Sequence, residues 1–280
     1  MLPVTVIVPV RNSEHLVEGC LTSIFKANPA EVIVVDGLST DHTLEIVQRF
    51  PVVIISDGGL GVPAARMMGV RAASNPIVGL FDVDIRIPDG VLESLYQQFF
   101  EGQYDALQAG LISYSGQGYW GRALVNHHNN GRSKRWPGLM ASLFKQQVLL
   151  DHPLDVRFRS GEDIEIRWRL KNAGYKMGVS STTTVQHWFG DSYEFAKDQW
   201  LQDGKGLGRM VVKYGLRAIP LIGLPLAGAV RGILLSLAHL QPRWILYYLG
   251  YFLYNYTSIF SGLTERMINP EVWMQSTASQ

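Results

Sequence analysis

The sequence predicts an α/β domain with a mainly parallel sheet, followed by a helical region of different character. Apolar, β-branched runs alternate with helix-like segments in the N-terminal part, which is typical of parallel strands joined by helices. Aspartates follow several of these runs, at the strand ends where open α/β sheets bind ligands. The last third is rich in basic and apolar residues. We therefore predict an α/β domain over residues 1–200 and a membrane-associating helical region over 201–280.

Composition excludes several classes of protein. The formal net charge of the 280-residue chain is +1, so we expect no nucleic-acid partner. The single cysteine, Cys20, excludes a disulfide framework and a cysteine zinc site. The chain enters a strand-like run at once, without the basic segment of a signal peptide, and we expect this part to stay in the cytoplasm. No Walker loop and no Gly-x-Gly-x-x-Gly follows the first strand, which disfavours nucleoside triphosphatases and nicotinamide enzymes.

Strands and helices alternate regularly through the first part of the chain. Ser13 can begin a helix that Pro29 ends, and Ser39-Thr40-Asp41 can cap the next one. A Gly-rich loop at 57–61 leads to a helix that carries Arg66. The predicted strands are residues 4–10, 31–36, 52–55 and 77–84.

The middle of the chain has a weaker pattern. Residues 116–138 contain many Gly, Asn, His and aromatic residues with little periodicity, which predicts a long loop with a solvated His127-His128 pair. A short apolar run covers 140–144. Helices are predicted at 91–100, 146–150 and 164–173, and short strands at 176–179 and 184–188.

Two carboxylates, Asp82 and Asp84, end the fourth predicted strand with one residue between them. Alternation along a strand would point both to one face, where they repel and need a cation or donors. With His187 they would complete a facial site for Mn²⁺ or Mg²⁺. The alternatives are that one aspartate caps a helix while the other meets an arginine, and that His187 is a core histidine.

Two further positions allow a structural and a functional interpretation. Glu162 and Asp163 open a predicted helix, where acids are favoured by the helix dipole, but one of them could also be a general base at a cleft edge. Arg66 could be a surface charge or could bind a diphosphate through its fork of donors.

The C-terminal third favours membrane association. Basic residues outnumber acids from 197 to 243, Pro220 and Pro225 break an apolar stretch, and the uncharged segment 244–263 has about the length of a membrane span. The alternative is a soluble helical appendage that packs on the domain or in a dimer, which leaves a homo-oligomer open.

Five motifs together resemble the family 2 glycosyltransferases with the GT-A fold. Their order and spacing over roughly the first two hundred residues carry the resemblance, because each motif is weak alone. The motifs are the opening strand and turn at 8–14, the second strand and Ser-Thr-Asp turn at 34–41, the Ala65-Arg66 helix at 61–69, Asp82-Val83-Asp84, and Gly161-Glu162-Asp163 with Arg169-Leu170.

The resemblance implies a role for each matching position. Two departures stand out: Arg11 replaces a frequent aromatic residue, and Asp36-Gly37-Leu38 replaces Asp-Asp-Gly. On the donor side, Asp82 would approach the ribose or sugar, Arg66 would lie near the diphosphate, and the nucleotide pocket would be lined by Pro9, Val10, Arg11, Glu14 and Asp36. Asp84 and His187 would bind the metal. Asp163 would be the general base, and Glu162 would lie on the acceptor side.

The resemblance also implies the reaction. An inverting enzyme would use Mn²⁺ or Mg²⁺ to move a sugar from a nucleotide-diphosphate donor to a hydroxyl acceptor. In family members with such a C-terminal region the acceptor is commonly lipid-linked, and the reaction would take place at the cytoplasmic face of the membrane. The alternatives are a soluble glycosyltransferase acting on a small or protein acceptor and a non-catalytic sugar-nucleotide-binding protein. The presence of both Asp84 and Asp163 disfavours the last.

Overall fold

One mixed sheet of eight strands forms in the computed structural model, which describes residues 1–131 and 135–268. The strand order is β3-β2-β1-β4-β7-β6-β8-β5. The first four strands are parallel, whereas β7 is antiparallel to β4 and β6, and β5 is antiparallel to β8. The strands are β1 Leu2–Val10, β2 Pro29–Asp36, β3 Val53–Ser56, β4 Ile77–Leu80, β5 Ile85–Arg86, β6 Ala106–Tyr114, β7 Ser142–Lys145 and β8 Met177–Trp188. The predicted α/β class is confirmed.

Helices connect the strands and make up the C-terminal part of the described chain. Two short 3₁₀ turns, Gly215–Ala218 and Pro242–Trp244, separate the last helices. The α-helices are α1 Val17–Lys26, α2 Thr43–Val47, α3 Val62–Ala72, α4 Val91–Glu101, α5 Tyr119–Asn130, α6 Gln146–Asp151, α7 Glu162–Asn172, α8 Tyr193–Tyr214, α9 Ile219–Ile222, α10 Leu224–Ala238 and α11 Ile245–Ile268.

Three predictions of secondary structure were wrong. The predicted loop at 116–138 contains helix α5, because Ala123 and Leu124 pack into an aromatic cluster and so stabilise a helix whose Gly, Asn and His residues have low helix propensity. The two short strands predicted at 176–179 and 184–188 are one strand, β8. The fourth strand ends at Leu80, so Asp82 and Asp84 follow it rather than lie on it.

The sheet buries a separate apolar cluster on each of its faces. In β1, Val4, Val6 and Val8 pack into one cluster, whereas Ile7 packs into the other. This alternation follows from the two-residue period of a strand. Because both faces are covered, the central strands are mostly apolar, as expected of buried parallel strands, and the buried Thr5 of β1 donates a hydrogen bond to Glu31 of β2.

By its internal contacts the chain divides into two units. Unit 1 contains residues 1–113, 132–156 and 166–188, and unit 2 contains 114–131, 157–165 and 189–280. Within unit 2, α8 packs closely on α11, since a Cβ on Gly208 would lie 2.9 Å from Gly262 Cα. The predicted division at residue 200 stays a prediction.

The described residues include one helical stretch, Tyr193–Ala238, that is long and apolar enough to cross a membrane. The uncharged segment predicted at 244–263 lies in α11, which does not meet that criterion because Tyr, Asn, Ser and Thr lower its hydropathy. The two prolines of the preceding stretch stand in the first turns of α9 and α10, where proline is tolerated.

We expect Gly69→Ala to destabilise unit 1. Gly69 of α3 lies against β1, and a Cβ at this position would overlap Ile7 Cγ2. Overpacking of this kind costs about 1–3 kcal/mol, which exceeds the gain of about 1 kcal/mol in helix propensity. Urea unfolding measures the loss, and Ile7→Ala should relieve most of it in the double variant. Equal losses in both backgrounds would show that the overlap is not the cause.

Candidate active site

The carboxyl ends of the first three strands bring the predicted nucleotide residues together. Val10 pairs in register with Asp36, and Asp36 with Ser56. Asp36 is 4% exposed, and its carboxylate accepts hydrogen bonds from Ser39 N at 3.2 and 3.3 Å. Pro9 is half-buried and Arg11 is exposed. Two buried carboxylates, Asp36 and Asp57, therefore follow the parallel strands.

Residues of the β1–α1 loop form hydrogen bonds with the turn that follows β2. Glu14 Oε2 accepts a hydrogen bond from His42 N at 3.0 Å, and Glu14 N donates to Asp41 Oδ2 at 3.1 Å. Asn12 Oδ1 accepts from Thr40 N at 2.8 Å. One oxygen of the Glu14 carboxylate is thus used to fix the turn after β2. Asn12 is a residue that sequence reasoning missed, although its positive φ of 47° is typical of asparagine at a turn.

The Gly-rich loop is organised by Asp57, the acid at the end of β3. Its carboxylate accepts from Gly59 N at 2.7 Å and from Gly61 N at 3.0 Å. Gly58, Gly59 and Gly61 all have positive φ, which glycine adopts at little cost. Asp57 therefore shapes the start of α3, which carries Arg66.

Contrary to the prediction, Asp82 and Asp84 do not lie on a strand with their side chains on one face. They lie in a turn closed by Ile85 N and Asp82 O at 3.1 Å, and their carboxylates have different partners. Arg66 Nη2, on a side chain that is 4% exposed, donates to Asp82 Oδ1 at 2.5 Å. The surface interpretation of Arg66 is therefore wrong, and most of the charge on Asp82 is compensated within the protein.

Asp84 and His187 come together through the pairing of β5 with β8. Ile85 is in register with His187, and Asp84 O accepts from Trp188 N at 3.0 Å. His187 Nε2 lies 3.2 Å from Asp84 Oδ2. Asp84 Oδ1 is buried and has no hydrogen-bond partner in the described protein. A buried carboxylate oxygen of this kind is costly unless a cation or donor reaches it, so Asp84 and His187 fit a divalent metal.

The described residues contain no group of three or more His, Cys, Asp or Glu side chains that could hold a metal. Asp82 does not join the other two as a ligand, since its carboxylate pairs with Arg66. The protein offers two ligands, which suits an ion whose remaining positions are filled by substrate phosphates and water.

A second arginine, Arg86, holds the acidic turn and was missed from the sequence. Its guanidinium donates to the carbonyl oxygens of Val83, Ile85 and Leu16 at 2.8–3.1 Å. The sequence signal for this role was the position of Arg86, two residues after Asp84. Cys20 lies beneath the turn, with Sγ 3.7 Å from Asp82 O. Burial raises the pKa of its thiol to about 12, so it is not a nucleophile at neutral pH.

Glu162 and Asp163 belong to unit 2 and open α7. Gly161 precedes them with φ of +77°, and three acids, Glu162, Asp163 and Glu165, occupy the first turn. The helix dipole favours these charges, as expected. Glu165 is fully buried and accepts from Lys213 Nζ at 2.6 Å, so it is the structural acid of the three.

The histidine pair predicted to be solvated lies in helix α5 of unit 2. His127 packs among the rings of Tyr247, Tyr248 and Tyr251 at centroid distances of 4.9–5.6 Å. Burial, together with the charge of Arg231, lowers its pKa to about 4. His127 is therefore neutral at physiological pH, and the prediction of a solvated pair was wrong because an aromatic cluster covers it.

The mixed α/β sheet, with acids and a buried arginine at its carboxyl edge, defines a protein of the GT-A type. Residues 5–158, more than half of the chain, match the family described as Glycosyl transferase family 2. The chain belongs to this family, which confirms the family resemblance.

Curated relatives cover only part of the chain. Glycosyltransferase GlyA of Streptococcus pneumoniae is 33% identical over 119 residues, which are 40% of this chain and 17% of that protein. Glycosyltransferase AglE of Haloferax volcanii is 27% identical over 206 residues, 62% of this chain and 63% of that protein. The chain spans between 17% and 63% of the length of these two relatives.

Solved structures share the fold. The mannosyltransferase PcManGT from Pyrobaculum calidifontis, in complex with GDP-Man and Mn²⁺, has a TM-score of 0.67 at 18% identity and covers 92% of this chain and 87% of its own. S. aureus TarS in complex with UDP has a TM-score of 0.52 at 19% identity, with 95% and 92% covered.

Proposed function

We propose that this protein is an inverting, metal-dependent glycosyltransferase that moves a sugar from a nucleotide-diphosphate donor to a hydroxyl acceptor. The observation that carries the proposal is the unpartnered, buried Asp84 Oδ1 beside His187, at the carboxyl edge of the sheet. Membership of family 2 supports the same activity. The donor complexes of two structural neighbours, with GDP-Man and Mn²⁺ and with UDP, support a nucleotide donor and a divalent ion.

The donor would bind along the edge formed by β1, β2 and α3. Asp36 has free acceptor capacity for a ribose or base donor, next to Val10 and Pro9. Arg66 would counter the diphosphate charge while it remains paired with Asp82, whose second oxygen is available to the ribose or sugar. Arg11 would cover the base by its guanidinium plane rather than by an aromatic ring.

Asp84 and His187 would hold Mn²⁺ or Mg²⁺. When bound, the ion neutralises the negative charge that develops on the leaving diphosphate. Asp84 supplies the hard oxygen ligand that both ions prefer, and the buried His187 supplies a nitrogen ligand more typical of Mn²⁺. We therefore expect Mn²⁺ to be the better activator.

Asp163 would be the general base, with Glu162 beside it on the acceptor side. Asp163 accepts the proton of the acceptor hydroxyl as that oxygen attacks the anomeric carbon, while the bond to the nucleoside diphosphate breaks. A single displacement of this kind inverts the anomeric configuration. Asp163 is partly exposed at the start of α7, which suits a base that meets a substrate.

A screen of nucleotide sugars tests the proposal most directly. Full-length protein is mixed with UDP-, GDP- and dTDP-sugars and Mn²⁺, and thermal unfolding and slow sugar transfer to water are both followed. We expect one donor class to raise the melting temperature and to be hydrolysed only when metal is present. Binding without any transfer would favour the non-catalytic alternative, and no binding would contradict the proposal.

We also propose that unit 2 attaches the protein to the cytoplasmic face of the membrane, where it would meet a lipid-linked acceptor. Helix α10 exposes an apolar stripe at a helical spacing, and α11 exposes another. The opposite faces of both helices are buried in unit 2. One-sided stripes favour helices that lie in the interface over helices that cross it, and exposed Arg217 and Arg243 suit anionic lipid. The stripes are Leu226, Val230, Leu234 and Leu237 in α10, and Leu246, Leu249, Leu253 and Phe260 in α11.

We expect the double substitution Leu234→Asp, Leu237→Asp to release the protein from anionic vesicles. Inserting a leucine is worth about 1.5–3 kcal/mol, so binding should weaken by at least about 100-fold. Co-sedimentation with phosphatidylglycerol vesicles measures the change. Leu150→Asp, an exposed leucine of unit 1, is the matched control and should have no effect. Wild-type protein that stays in the supernatant would contradict membrane attachment and favour the soluble alternative.

A further inference from the structure

Trp136 is a large, exposed aromatic residue on the surface of unit 1. Its residue is 44% exposed, and the guanidinium carbon of Arg167 lies 5.0 Å from the centroid of the indole ring. Arg167 Nη1 also lies 3.5 Å from Pro137 O, the carbonyl oxygen next in the chain. A cation held over one face of a ring favours a fixed ring orientation. The opposite face of the indole is therefore the one that a ligand can reach.

The segment that follows Trp136 is fixed by β6. Gly138 N donates a hydrogen bond to Gln108 Oε1 at 2.5 Å, and Ala109 N donates to Ala141 O at 3.0 Å. Gln108 is 3% exposed and Ala141 is fully buried, so both bonds are shielded from water. Because two residues span at most about 7 Å, Trp136 stays close to the fixed Gly138. An aromatic ring on such a segment loses little conformational entropy when it binds a ligand.

Strand pairing puts this segment at the end of the sheet that carries the acidic turn. Ser142 begins β7 and pairs with Leu80, the last residue of β4. Ser142 Oγ also donates to Gly138 O at 3.0 Å. Asp82 follows Leu80 by two residues. The segment that contains Trp136 therefore enters β7 at the edge where the chain leaves β4 for the acidic turn.

The order of the strands separates Trp136 from the proposed nucleotide pocket. The strands β2, β1, β4 and β7 are neighbours in that order, with a spacing of about 4.8 Å. In the proposed function the nucleotide lies at the ends of β2 and β1, and the donor sugar meets Asp82 after β4. The end of β7 is the next position, about 10 Å from β1. Inversion requires the acceptor to approach the sugar from the side opposite the leaving group, so a ligand at β7 would be the acceptor.

We propose that Trp136 is a stacking platform for a sugar ring of the acceptor, so that the hydroxyl that receives the transferred sugar belongs to a glycan. This inference rests on the proposed function and specifies its acceptor. One face of a pyranose ring presents C–H groups that pack on an aromatic face, while the hydroxyls at the ring edge remain available for hydrogen bonds. A lipid phosphate or a serine hydroxyl offers no such face.

Kinetics of the full-length enzyme with simple glycosides test this inference. The acceptors are the methyl glycosides of glucose, galactose, mannose and N-acetylglucosamine, with Mn²⁺ and the donor found in the nucleotide-sugar screen. We expect at least one of them to be glycosylated. Trp136→Ala should raise the KM of that acceptor by about 10-fold, with a smaller change in the KM of the donor. Trp136→Phe should keep most of the affinity, because it keeps an aromatic face.

Phe100→Ala is the matched control for loss of an exposed aromatic residue. Phe100 is 50% exposed at the end of α4, in the same unit, and its substitution should leave the KM of the acceptor unchanged. The indole N–H resonance of Trp136, identified by its loss in Trp136→Phe, provides a readout besides activity. In nitrogen-15-labelled protein with Mn²⁺ and UDP or GDP, the accepted methyl glycoside should shift this resonance.

Several outcomes overturn the inference. They are an unshifted indole resonance, an unchanged acceptor KM in Trp136→Ala, and a wild type that hydrolyses a donor but glycosylates none of the methyl glycosides. Loss of co-sedimentation with phosphatidylglycerol vesicles in Trp136→Ala, with the acceptor KM unchanged, would assign the tryptophan to membrane binding instead. A wild type that neither transfers nor hydrolyses any sugar would contradict the proposed function, so the two failures are distinguishable.

Discussion

Asp163→Asn is expected to abolish sugar transfer while donor binding stays nearly unchanged. The substitution preserves the shape of the side chain but removes its ability to accept a proton, and loss of a general base lowers kcat by about 10²–10⁴-fold. The residues proposed for the donor belong to unit 1, on the carboxyl edge of the sheet, whereas Asp163 belongs to α7 in unit 2. Initial rates and thermal shifts with the donor and Mn²⁺ measure the two properties separately.

Glu162→Gln is the matched control for this prediction. Glu162 precedes Asp163 in the same turn of α7, so the variant changes the local charge by the same amount. We expect a higher KM for the acceptor and a much smaller loss of kcat. Wild-type turnover by Asp163→Asn would remove this residue from the mechanism, and a larger loss in Glu162→Gln would move the base to its neighbour.

Misfolding is a poor explanation for inactivity of Asp163→Asn. An asparagine in the first turn loses about 0.3–1 kcal/mol of interaction with the helix dipole. It also removes the repulsion with Asp203, which acts in the opposite direction. Desolvation by the surrounding protein, and in second place the charge of Asp163, raise the pKa of Asp203, so that pKa should fall toward its ordinary value in Asp163→Asn, and carbon-13 NMR of labelled aspartate carboxyls would detect the change.

The first three strands and the acids at their ends were predictable because local signals agree with the fold there. β1 and β2 are mostly apolar and rich in β-branched residues, and each is buried on both faces. Asp36 could be predicted as a site residue because it ends an apolar run, and Arg66 because it lies on the helix after a Gly-rich loop. In these places the pattern, the turn residues and the burial all lead to the same structure.

The geometry of the acidic turn was not predictable, because it depends on residues distant in sequence. Asp84 meets His187 through a two-residue strand, β5, which is too short to give a periodic signal. Arg66 and Arg86 fix the turn from two different elements. The prediction that Asp82 and Asp84 share one face of a strand was wrong because that strand ends at Leu80, before either aspartate.

Unit 2 shows the same limit. Its contacts between α7 and α8 depend on glycines, Gly161 and Gly206, whose sequence signal is only the absence of a side chain. Helix α5 ends in residues of low helix propensity, His127 to Asn130, and Ala123 and Leu124 pack with aromatic residues that lie more than seventy residues further along the chain, such as Trp200 and Tyr247. Long-range packing of this kind cannot be derived from local periodicity.

Asp84→Asn is expected to remove the metal dependence of the protein together with its activity. Asn keeps the shape of the side chain but lacks the charge that a hard divalent cation requires. Loss of several kcal/mol of charge stabilisation should reduce transfer by at least about 100-fold. In the wild type, excess chelator should stop the reaction, and Mn²⁺ or Mg²⁺ should restore it. Full activity in chelator would contradict the metal role.

Thermal unfolding gives a readout of the metal that does not depend on activity. A site filled at 100 times its dissociation constant adds about 2.7 kcal/mol of stability, which corresponds to roughly 5–10 °C for a chain of this size. We expect this shift for wild-type protein with Mn²⁺ and UDP or GDP, and none for Asp84→Asn. His187→Gln should keep a smaller shift, because an amide oxygen is a weaker ligand than the imidazole nitrogen.

The same variant separates a metal ligand from a purely structural aspartate. Without metal, Asp84 buries a carboxylate oxygen that has no partner in the described protein, so an amide at this position should unfold at the same temperature or higher. A structural aspartate would instead lose stability when neutralised. Asp89→Asn, an exposed acid five residues further along, controls for charge and should keep the full response to Mn²⁺. The opposite outcome is that metal-free Asp84→Asn melts at a lower temperature than the wild type and keeps the Mn²⁺ shift. That result would assign Asp84 a structural role and would contradict its role as a metal ligand beside His187.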